Sequence, residues 1–220
     1  MKVVLVHGTT QSPAGWSLLN DRLAAAGHDS VNVDLAALSS DANACDYADE
    51  AARQVPGDVA DVVVAHSGSG LILPAISTRL KASAQVFLAA LIPAGEMSFS
   101  EELGEDPEAV VNPRWIGADP THDIGDARHF LFHDCDEATL EWAETTLRLF
   151  VPSAVYDEQV PVGGPPATAV VPTGDRTIRP DWLAAAARER LAVEPLLIEG
   201  GHCPHVAQPD LVSRIVSAIL

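Results

Sequence analysis

A serine that could act as a nucleophile lies where a strand-like run gives way abruptly to small residues. Residues 62–70 read VVVAHSGSG, and Ser67 follows the β-branched run. A tight strand-to-helix turn of this kind holds a nucleophilic serine in a strained conformation and needs small residues two places before and after it. Ala65 and Ser69 meet that need, although the usual G-x-S-x-G form has glycine at both places. The segment predicts a nucleophile elbow, with a plain Ser/Gly loop as the alternative interpretation.

Two later segments carry the partners that such a serine requires. A serine hydroxyl is a poor nucleophile unless a histidine takes its proton and a carboxylate holds that histidine in the right tautomer. Asp175 follows the apolar run 169–172, and His202 follows a second run at 195–198 and a glycine pair. Open parallel sheets place their sites at the carboxyl ends of strands, where Ser67, Asp175 and His202 are all expected. Asp181 is a weaker rival acid, since Asp175 could instead be a turn or helix-capping carboxylate.

The amino-terminal strand pattern supplies the last part of this chemistry. Residues 3–6 are apolar and run into a predicted turn that contains His7, Gly8 and Thr9. In acyl transfer, the backbone N–H groups of Thr9 and Gly68 would form an oxyanion hole, because pre-aimed donors stabilise the charge that develops on the attacked carbonyl oxygen. No cofactor is needed for this reaction.

A metal site is the less favoured interpretation of the histidines near the carboxyl terminus. His202 and His205 stand three residues apart, but no further cluster of Cys, His or Asp completes a ligand set. We therefore expect one catalytic and one loop histidine, and no metal.

Composition limits the partners and the compartment. The chain has 220 residues, is 47% hydrophobic and carries a net charge of −18. This length predicts one domain, and this charge argues against binding to nucleic acid or to an anionic membrane surface. The three cysteines have no disulfide or zinc spacing, and no signal peptide or membrane span is recognisable. The expected partner is a small-molecule substrate, and the expected compartment is the cytoplasm.

The order of the predicted elements indicates an α/β fold. Strands are expected near 2–6, 30–35, 61–66, 84–93, 169–172 and 195–198, separated by helices. Strands that alternate with helices predict a mostly parallel sheet with helices on both faces and right-handed crossovers. Pro74 is expected to kink or shorten the helix after Ser67.

Residues 94–167 interrupt this alternation. The segment is too long for a structureless loop, and such insertions are commonly lids or binding elements, so we interpret it as a cap on a single domain 1–220. A helix is expected over residues 137–150. Aromatic side chains in the cap are candidates to line an acyl pocket, with core packing as the alternative for each: Phe99, Trp115, Phe130, Phe132 and Trp142. Trp115, Phe132 and Trp142 are the candidate substrate-binding residues.

The chain resembles the α/β-hydrolase family, and within it the small serine esterases of the plant methylesterase and hydroxynitrile lyase group. The resemblance spans nearly the whole chain and is dense in motifs before about residue 93 and after about residue 167. It is carried by Val4-Leu5-Val6-His7-Gly8, Ala65-His66-Ser67-Gly68-Ser69, Gly174-Asp175-Arg176-Thr177-Ile178 and Gly200-Gly201-His202-Cys203-Pro204-His205. The substituted elbow glycines are its main departure.

By this resemblance Ser67 is the nucleophile, His202 the general base and Asp175 its orienting acid, with Thr9 and Gly68 as oxyanion donors. The implied protein is a single-domain α/β-hydrolase with a cap insertion. Its implied activity is that of a serine hydrolase, which cleaves an ester or thioester of a small to medium apolar acid through an acyl-enzyme.

Two alternatives remain open. A lyase or cyclase could use the same scaffold, because a fold does not determine a function. Hydroxynitrile lyases of this group have a lysine directly after the catalytic histidine and a threonine after the histidine of the first strand loop. Cys203 and Gly8 stand at those places, which argues against cyanohydrin cleavage but not against other non-hydrolytic reactions. The other alternative is a ligand-binding protein with little turnover.

Overall fold

The computed structural model describes residues 1–219, and its centre is a six-stranded parallel sheet. The strands lie in the spatial order β2-β1-β3-β4-β5-β6, and every neighbouring pair is parallel. Their bounds are β1 Lys2–Val6, β2 Asp29–Val33, β3 Val62–His66, β4 Ala84–Leu88, β5 Ala167–Pro172 and β6 Leu196–Ile198. The predicted α/β class with a parallel sheet is confirmed.

Helices cover both faces of the sheet, as expected. Their bounds are α1 Ser17–Ala25, α2 Ala44–Gln54, α3 Leu73–Arg79, α4 Phe99–Glu105, α5 Pro107–Val110, α6 Ile124–Asp126, α7 Glu137–Glu144, α8 Ser153–Asp157, α9 Pro180–Leu191, α10 Pro204–Ala207 and α11 Pro209–Ile219. α1 and α11 pack on one face, while α2, α3 and α9 pack on the other. The central strands are therefore buried on both sides, which is why they read as continuous apolar runs.

β1 shows how one strand contributes to two cores. Val3 and Leu5 pack with the side chains of α1 and α11, whereas Val4 and Val6 pack with those of α2 and α3. All four side chains have no exposed surface. Because side chains alternate across a strand, this short run anchors both helical layers, and its carboxyl end is held rigidly at the edge where the site lies.

Pro74 neither kinks nor interrupts its helix. α3 begins at Leu73, so Pro74 occupies the first turn, where a backbone N–H has no acceptor within the helix. A short 3₁₀ turn over Ser67–Leu71 precedes α3 and carries the elbow.

Three expected elements extend beyond the observed ones. The strand expected near 30–35 ends at Val33. The expected strand 84–93 ends at Leu88, because Ala89 turns the chain with a φ of +46°. The helix expected over residues 137–150 ends at Glu144. The chain then runs extended, because the N–H groups of Arg148 and Phe150 donate to the carbonyls of Thr10 and Thr9 rather than within a helix.

The segment between β4 and β5 holds the helices α4 to α8. One side of it packs on the loop after β6, through a cluster in which Leu131, Phe132 and Leu140 contact Cys203 and Val206. No helix among residues 1–219 is long and apolar enough to cross a membrane.

Candidate active site

The turn at Ser67 has the backbone of a nucleophile elbow. β3 ends at His66, and Ser67 has a φ of +55°, a conformation that side chains other than glycine rarely adopt. A Cβ on Gly70 would lie 2.1 Å from the carbonyl oxygen of Leu91, and one on Gly8 would lie 2.6 Å from Nδ1 of His66. The close approaches that demand glycine therefore fall at Gly8 and Gly70, rather than at the two positions of the usual motif.

Ser69, which replaces the second motif glycine, has a contact of its own. Its hydroxyl is fully buried and donates a 2.6 Å hydrogen bond to the carbonyl oxygen of His7. This bond ties the elbow to the loop after β1. Ala65, which replaces the first motif glycine, lies inside β3 with its methyl group in the core. Both substitutions are therefore accommodated by the surrounding structure.

The structure brings Ser67, His202 and Asp175 into one hydrogen-bonded chain. Ser67 Oγ lies 3.0 Å from His202 Nε2, and His202 Nδ1 lies 2.7 Å from Asp175 Oδ2. The side chains of His202 and Asp175 are 1% and 0% exposed, so water hardly competes for their contact. This arrangement can move a proton from a serine hydroxyl to an imidazole whose tautomer is held by a carboxylate.

Thr177 is a site residue to which the sequence reasoning assigned no role. Its hydroxyl lies 2.9 Å from Asp175 Oδ1 and 2.7 Å from His202 Nδ1, and its N–H donates to the same carboxylate oxygen at 2.7 Å. The N–H of Ile178 adds a third donor at 3.2 Å. A side chain that accepts from the N–H two residues on is typical of Asp in a turn, and this local signal could have identified Thr177 from the sequence.

Asp181, the rival acid, lies elsewhere. It occupies the exposed first turn of α9, outside the hydrogen-bonded chain around His202. His205 is buried, and its Nε2 lies 3.1 Å from Gln11 Oε1. Among residues 1–219, no group of three His, Cys, Asp or Glu side chains is arranged to hold a metal ion.

Two further histidines, His66 and His205, lie beside the His202 loop and are neutral. His66 Nε2 lies 2.8 Å from the carbonyl oxygen of His202, which makes it the donor and leaves Nδ1 unprotonated. Burial, and after it the neighbouring His205 and His202, hold the pKa of His66 well below its ordinary value. Burial likewise lowers the pKa of His205 to about 3. Neutral rings next to His202 avoid like-charge repulsion when His202 accepts a proton.

Side chains of the segment 94–167 brace the two loops that carry Asp175 and His202. His133 Nε2 lies 3.0 Å from the carbonyl oxygen of Gly174, and Asp134 accepts the N–H of Gly201 at 2.6 Å. A Cβ on Gly201 would lie 2.7 Å from the Asp134 carboxylate, so this close contact needs glycine.

The N–H groups of Thr9 and Gly68 lie at the same end of the sheet as Ser67. Gly68 is the second residue of the turn Ser67–Leu71, where N–H groups have no acceptor within the turn. Within residues 1–219 the Thr9 N–H donates to no carbonyl group. The Thr9 carbonyl oxygen instead accepts the N–H of Phe150 at 2.7 Å, which pairs this loop with residues 147–150. Thr9 and Gly68 therefore remain the candidate oxyanion donors.

A cavity of about 600 Å³ opens directly onto Ser67. Its walls are mainly apolar, and Asp119 is the one charged residue among them. Leu91, Phe99, Leu103, Val111, Trp115, Leu149, Val151, Tyr156 and Ile178 line it. An uncharged ligand with a sizeable apolar part suits such walls, because no cation compensates a carboxylate there.

The structure separates the three candidate substrate-binding residues. Trp115 lines the cavity and also packs against the cluster that contains Phe132 and Cys203, whereas Phe132 and Trp142 belong to that cluster or its surface and do not line the cavity. Phe132 is 1% exposed and is a core side chain. Phe99 lines the cavity and Phe130 does not. Aromatic residue type alone does not distinguish a cavity wall from a core, because both sites favour large apolar side chains.

A parallel sheet with a strained serine turn after its third strand, and with an acid and a histidine on later loops, defines the class of α/β-hydrolase folds. Over residues 3–215 the chain matches the model of the alpha/beta hydrolase family, and it belongs to that family. A comparison with curated proteins finds no match.

Solved structures of similar shape cover nearly the whole chain. Polyneuridine aldehyde esterase is 19% identical, with a TM-score of 0.80, over 99% of this chain and 98% of that one. A methylesterase from Arabidopsis is 18% identical, with a TM-score of 0.74, over 99% and 98%. Tomato methylketone synthase I, solved with 2-tridecanone, is 17% identical, with a TM-score of 0.74, over 99% and 96%. These likenesses show the fold and agree with the expected resemblance to the methylesterase group.

Proposed function

We propose that this chain is a serine hydrolase that cleaves a carboxylic ester or thioester of a small to medium apolar acid. The observation that carries the proposal is the chain of hydrogen bonds from Ser67 through His202 to Asp175. Its Ser67 end lines a mainly apolar cavity. The esterase neighbours support the same reaction class.

The reaction divides into two acyl transfers. Ser67 Oγ attacks the carbonyl carbon while its proton moves to His202 Nε2, and the carbonyl π electrons move onto oxygen. The N–H groups of Thr9 and Gly68 stabilise this oxyanion. Collapse of the intermediate breaks the bond to the leaving group, which takes the proton from His202. Water then repeats the sequence on the acyl-enzyme, with His202 as base, and Ser67 is released.

The polarity of the cavity narrows the substrate class. Among the described residues, the walls around Ser67 include no lysine or arginine, and their one charged side chain is the acidic Asp119. A substrate that carries a free carboxylate would therefore lose its hydration without gaining a partner. A neutral ester with an apolar acyl or alcohol part is the better match.

A fluorophosphonate probe and an ester panel test this proposal together. Phosphonylation needs an activated hydroxyl, so the probe should label folded wild type at Ser67 and should not label Ser67→Ala. A panel of p-nitrophenyl esters and acyl thioesters of graded chain length should show turnover. Label at Ser69, or no label in folded protein, would contradict the assigned nucleophile.

The panel also separates the alternatives. A protein that binds ligands saturably but turns over no ester or thioester would be the ligand-binding alternative. Labelling of Ser67 without any ester turnover would instead favour a non-hydrolytic lyase or cyclase on the same scaffold.

A further inference from the structure

Tyr156 is a polar side chain of the cavity that the proposed reaction does not yet use. It lies in the short helix α8, in the segment between β4 and β5, far in sequence from Ser67. Its side chain nevertheless lines the same cavity as Thr9, Ser67 and Gly68. The cavity wall is otherwise mainly apolar. A phenol hydroxyl next to Ser67 and Gly68 is therefore a candidate to hydrogen-bond the substrate.

The hydroxyl occupies the space that a side chain on Gly68 would fill. A Cβ built on Gly68 would lie 2.9 Å from Tyr156 Oη and 2.6 Å from Thr9 Cγ2. That Cβ would be bonded to the same Cα as the Gly68 N–H, which is one of the two proposed oxyanion donors. The Tyr156 hydroxyl therefore lies immediately beside the region where Thr9 and Gly68 converge.

The surroundings hold the phenol in place. The Tyr156 ring packs edge to face on Phe99, with centroids 5.5 Å apart. The backbone N–H of Tyr156 donates to the carbonyl oxygen of Pro152 at 3.2 Å. Burial raises the pKa of Tyr156 to about 12, and the Thr9 side chain is its polar neighbour. The hydroxyl consequently stays protonated over the pH range in which a histidine base works.

The second buried tyrosine provides a contrast. The hydroxyl of Tyr47 donates to the carbonyl oxygen of Ser39 at 3.0 Å. The hydroxyl of Tyr156 instead has the Thr9 side chain as its hydrogen-bond partner. When the Thr9 hydroxyl donates to the phenol oxygen, the phenol proton can be directed toward a ligand in the cavity.

We propose that the Tyr156 hydroxyl is a third donor to the oxyanion, and hence a catalytic residue of this site. The inference rests on the proposed hydrolase function. When Ser67 attacks, the carbonyl oxygen takes up the π electrons and accepts hydrogen bonds from Thr9 N–H, Gly68 N–H and Tyr156 O–H. Tyr156 keeps its proton throughout, and the proton of Ser67 travels through His202 to the leaving group.

Tyr156→Phe, with Tyr47→Phe as the matched control, tests this assignment on the full-length protein. Removing one oxyanion donor typically lowers kcat by about 10²-fold, so Tyr156→Phe should show a loss of that order with little change in KM. Tyr47→Phe removes a tyrosine hydroxyl that donates to Ser39 and does not line the cavity, so it should leave kcat close to that of wild type. Melting temperatures of all three proteins identify any loss that comes from misfolding.

A transition-state analogue separates catalysis from packing. A trifluoromethyl ketone adds to Ser67 and places an oxyanion in the site, whereas the secondary alcohol of the same chain cannot add and stays neutral. Tyr156→Phe should weaken binding of the ketone by about the same factor as kcat, with a much smaller change in affinity for the alcohol. Equal weakening of both ligands would show that the ring only shapes the wall and would overturn the proposal.

Labelling and ester turnover of the wild type distinguish a wrong role for Tyr156 from a wrong reaction class. If wild type is labelled at Ser67 and hydrolyses esters, but Tyr156→Phe matches it in kcat and in affinity for the ketone, Tyr156 is not an oxyanion donor. If wild type is neither labelled by fluorophosphonate nor active on any ester, the hydrolase proposal itself fails, and the role of Tyr156 fails with it.

Discussion

Asp175 shows how three neighbouring groups can determine the role of one carboxylate. Thr177 and Ile178 donate to Oδ1, which leaves Oδ2 to accept from His202 Nδ1. The carboxylate is thus oriented before any substrate arrives. This division between the two oxygens is what an orienting acid needs, since its task is to hold the imidazole in one tautomer.

Replacing Asp175 by Asn should lower kcat by up to about 10⁴-fold with a smaller change in KM, because the amide favours the wrong imidazole tautomer. Steady-state kinetics on one activated ester measure both constants. Asp181→Asn is the control, since Asp181 is an exposed residue of α9 and should leave both constants nearly unchanged. A silent Asp175→Asn beside a damaging Asp181→Asn would move the acid to the other turn.

His202 and His205 form a second matched pair at this scale. His202→Ala removes the proposed base and should abolish most ester turnover, as measured with p-nitrophenyl esters. His205→Ala should leave a measurable rate, because its ring contacts Gln11 and Trp16 rather than Ser67. Turnover that survives in His202→Ala at the wild-type level would exclude this residue as the base.

At the scale of elements, the loop after β1 and the segment 147–150 depend on each other. Phe150 and Arg148 donate to the carbonyls of Thr9 and Thr10, and Arg148 also makes a two-pronged ion pair with Asp34 at 2.6 and 2.9 Å. The His7 ring, whose Nε2 lies 3.6 Å from Asp34 Oδ1, and the Arg148 guanidinium hold the pKa of Asp34 well below its ordinary value, so this anchor stays ionised. A segment far along the chain thus positions the Thr9 N–H.

The two tryptophans of the segment 94–167 should behave differently, because one lines the cavity and the other does not. Trp115→Ala should change the preference among acyl chain lengths more than it changes the rate with an acetyl ester, since only long chains reach the altered wall. The ratio of kcat/KM values over the graded ester panel measures this.

Trp142→Ala is the comparison variant, because Trp142 packs against the same cluster as Trp115 but does not line the cavity. We expect it to lower the melting temperature and leave the chain-length preference unchanged. Equal losses on every ester for Trp115→Ala, with a large fall in melting temperature, would show that Trp115 is also a core side chain.

At the scale of the whole molecule, buried histidines link stability to pH. The pKa of His205 is about 3 in the folded protein, against an ordinary value of 6.5, and the pKa of His66 is shifted in the same direction. Below pH 6.5 these two histidines bind protons in the unfolded chain but stay unprotonated in the folded protein. Stability is therefore fully present above pH 6.5 and is lost as the pH falls toward the folded pKa.

Each such histidine contributes a slope of up to about 1.4 kcal/mol per pH unit to the free energy of unfolding in this window. His205→Gln removes one titrating group, so its free energy of unfolding should fall less steeply than that of wild type between pH 6.5 and 4. Denaturant unfolding at several pH values measures the two slopes. Parallel curves for the two proteins would contradict the assigned burial effect.

Much of the fold was already determined by local sequence. Apolar runs such as residues 62–65, and the breaks after them, depend on residue type and short-range spacing, so strand positions and the parallel sheet followed from the sequence alone. The order of Ser67, Asp175 and His202, each within a few residues of a strand end, also indicated the candidate site. Such features need no knowledge of distant contacts, because strand ends at one edge of a parallel sheet lie together by topology.

Only the tertiary structure decided which side chains surround that site. The helix expected over 137–150 ends early because distant carbonyls at Thr9 and Thr10 take its N–H groups. Trp115 lines the cavity and Phe132 lies in the core, although both are large aromatic residues of one segment. Tyr156 reaches Gly68 across the fold. Contacts between residues far apart in sequence depend on how whole elements pack, and no local pattern encodes them.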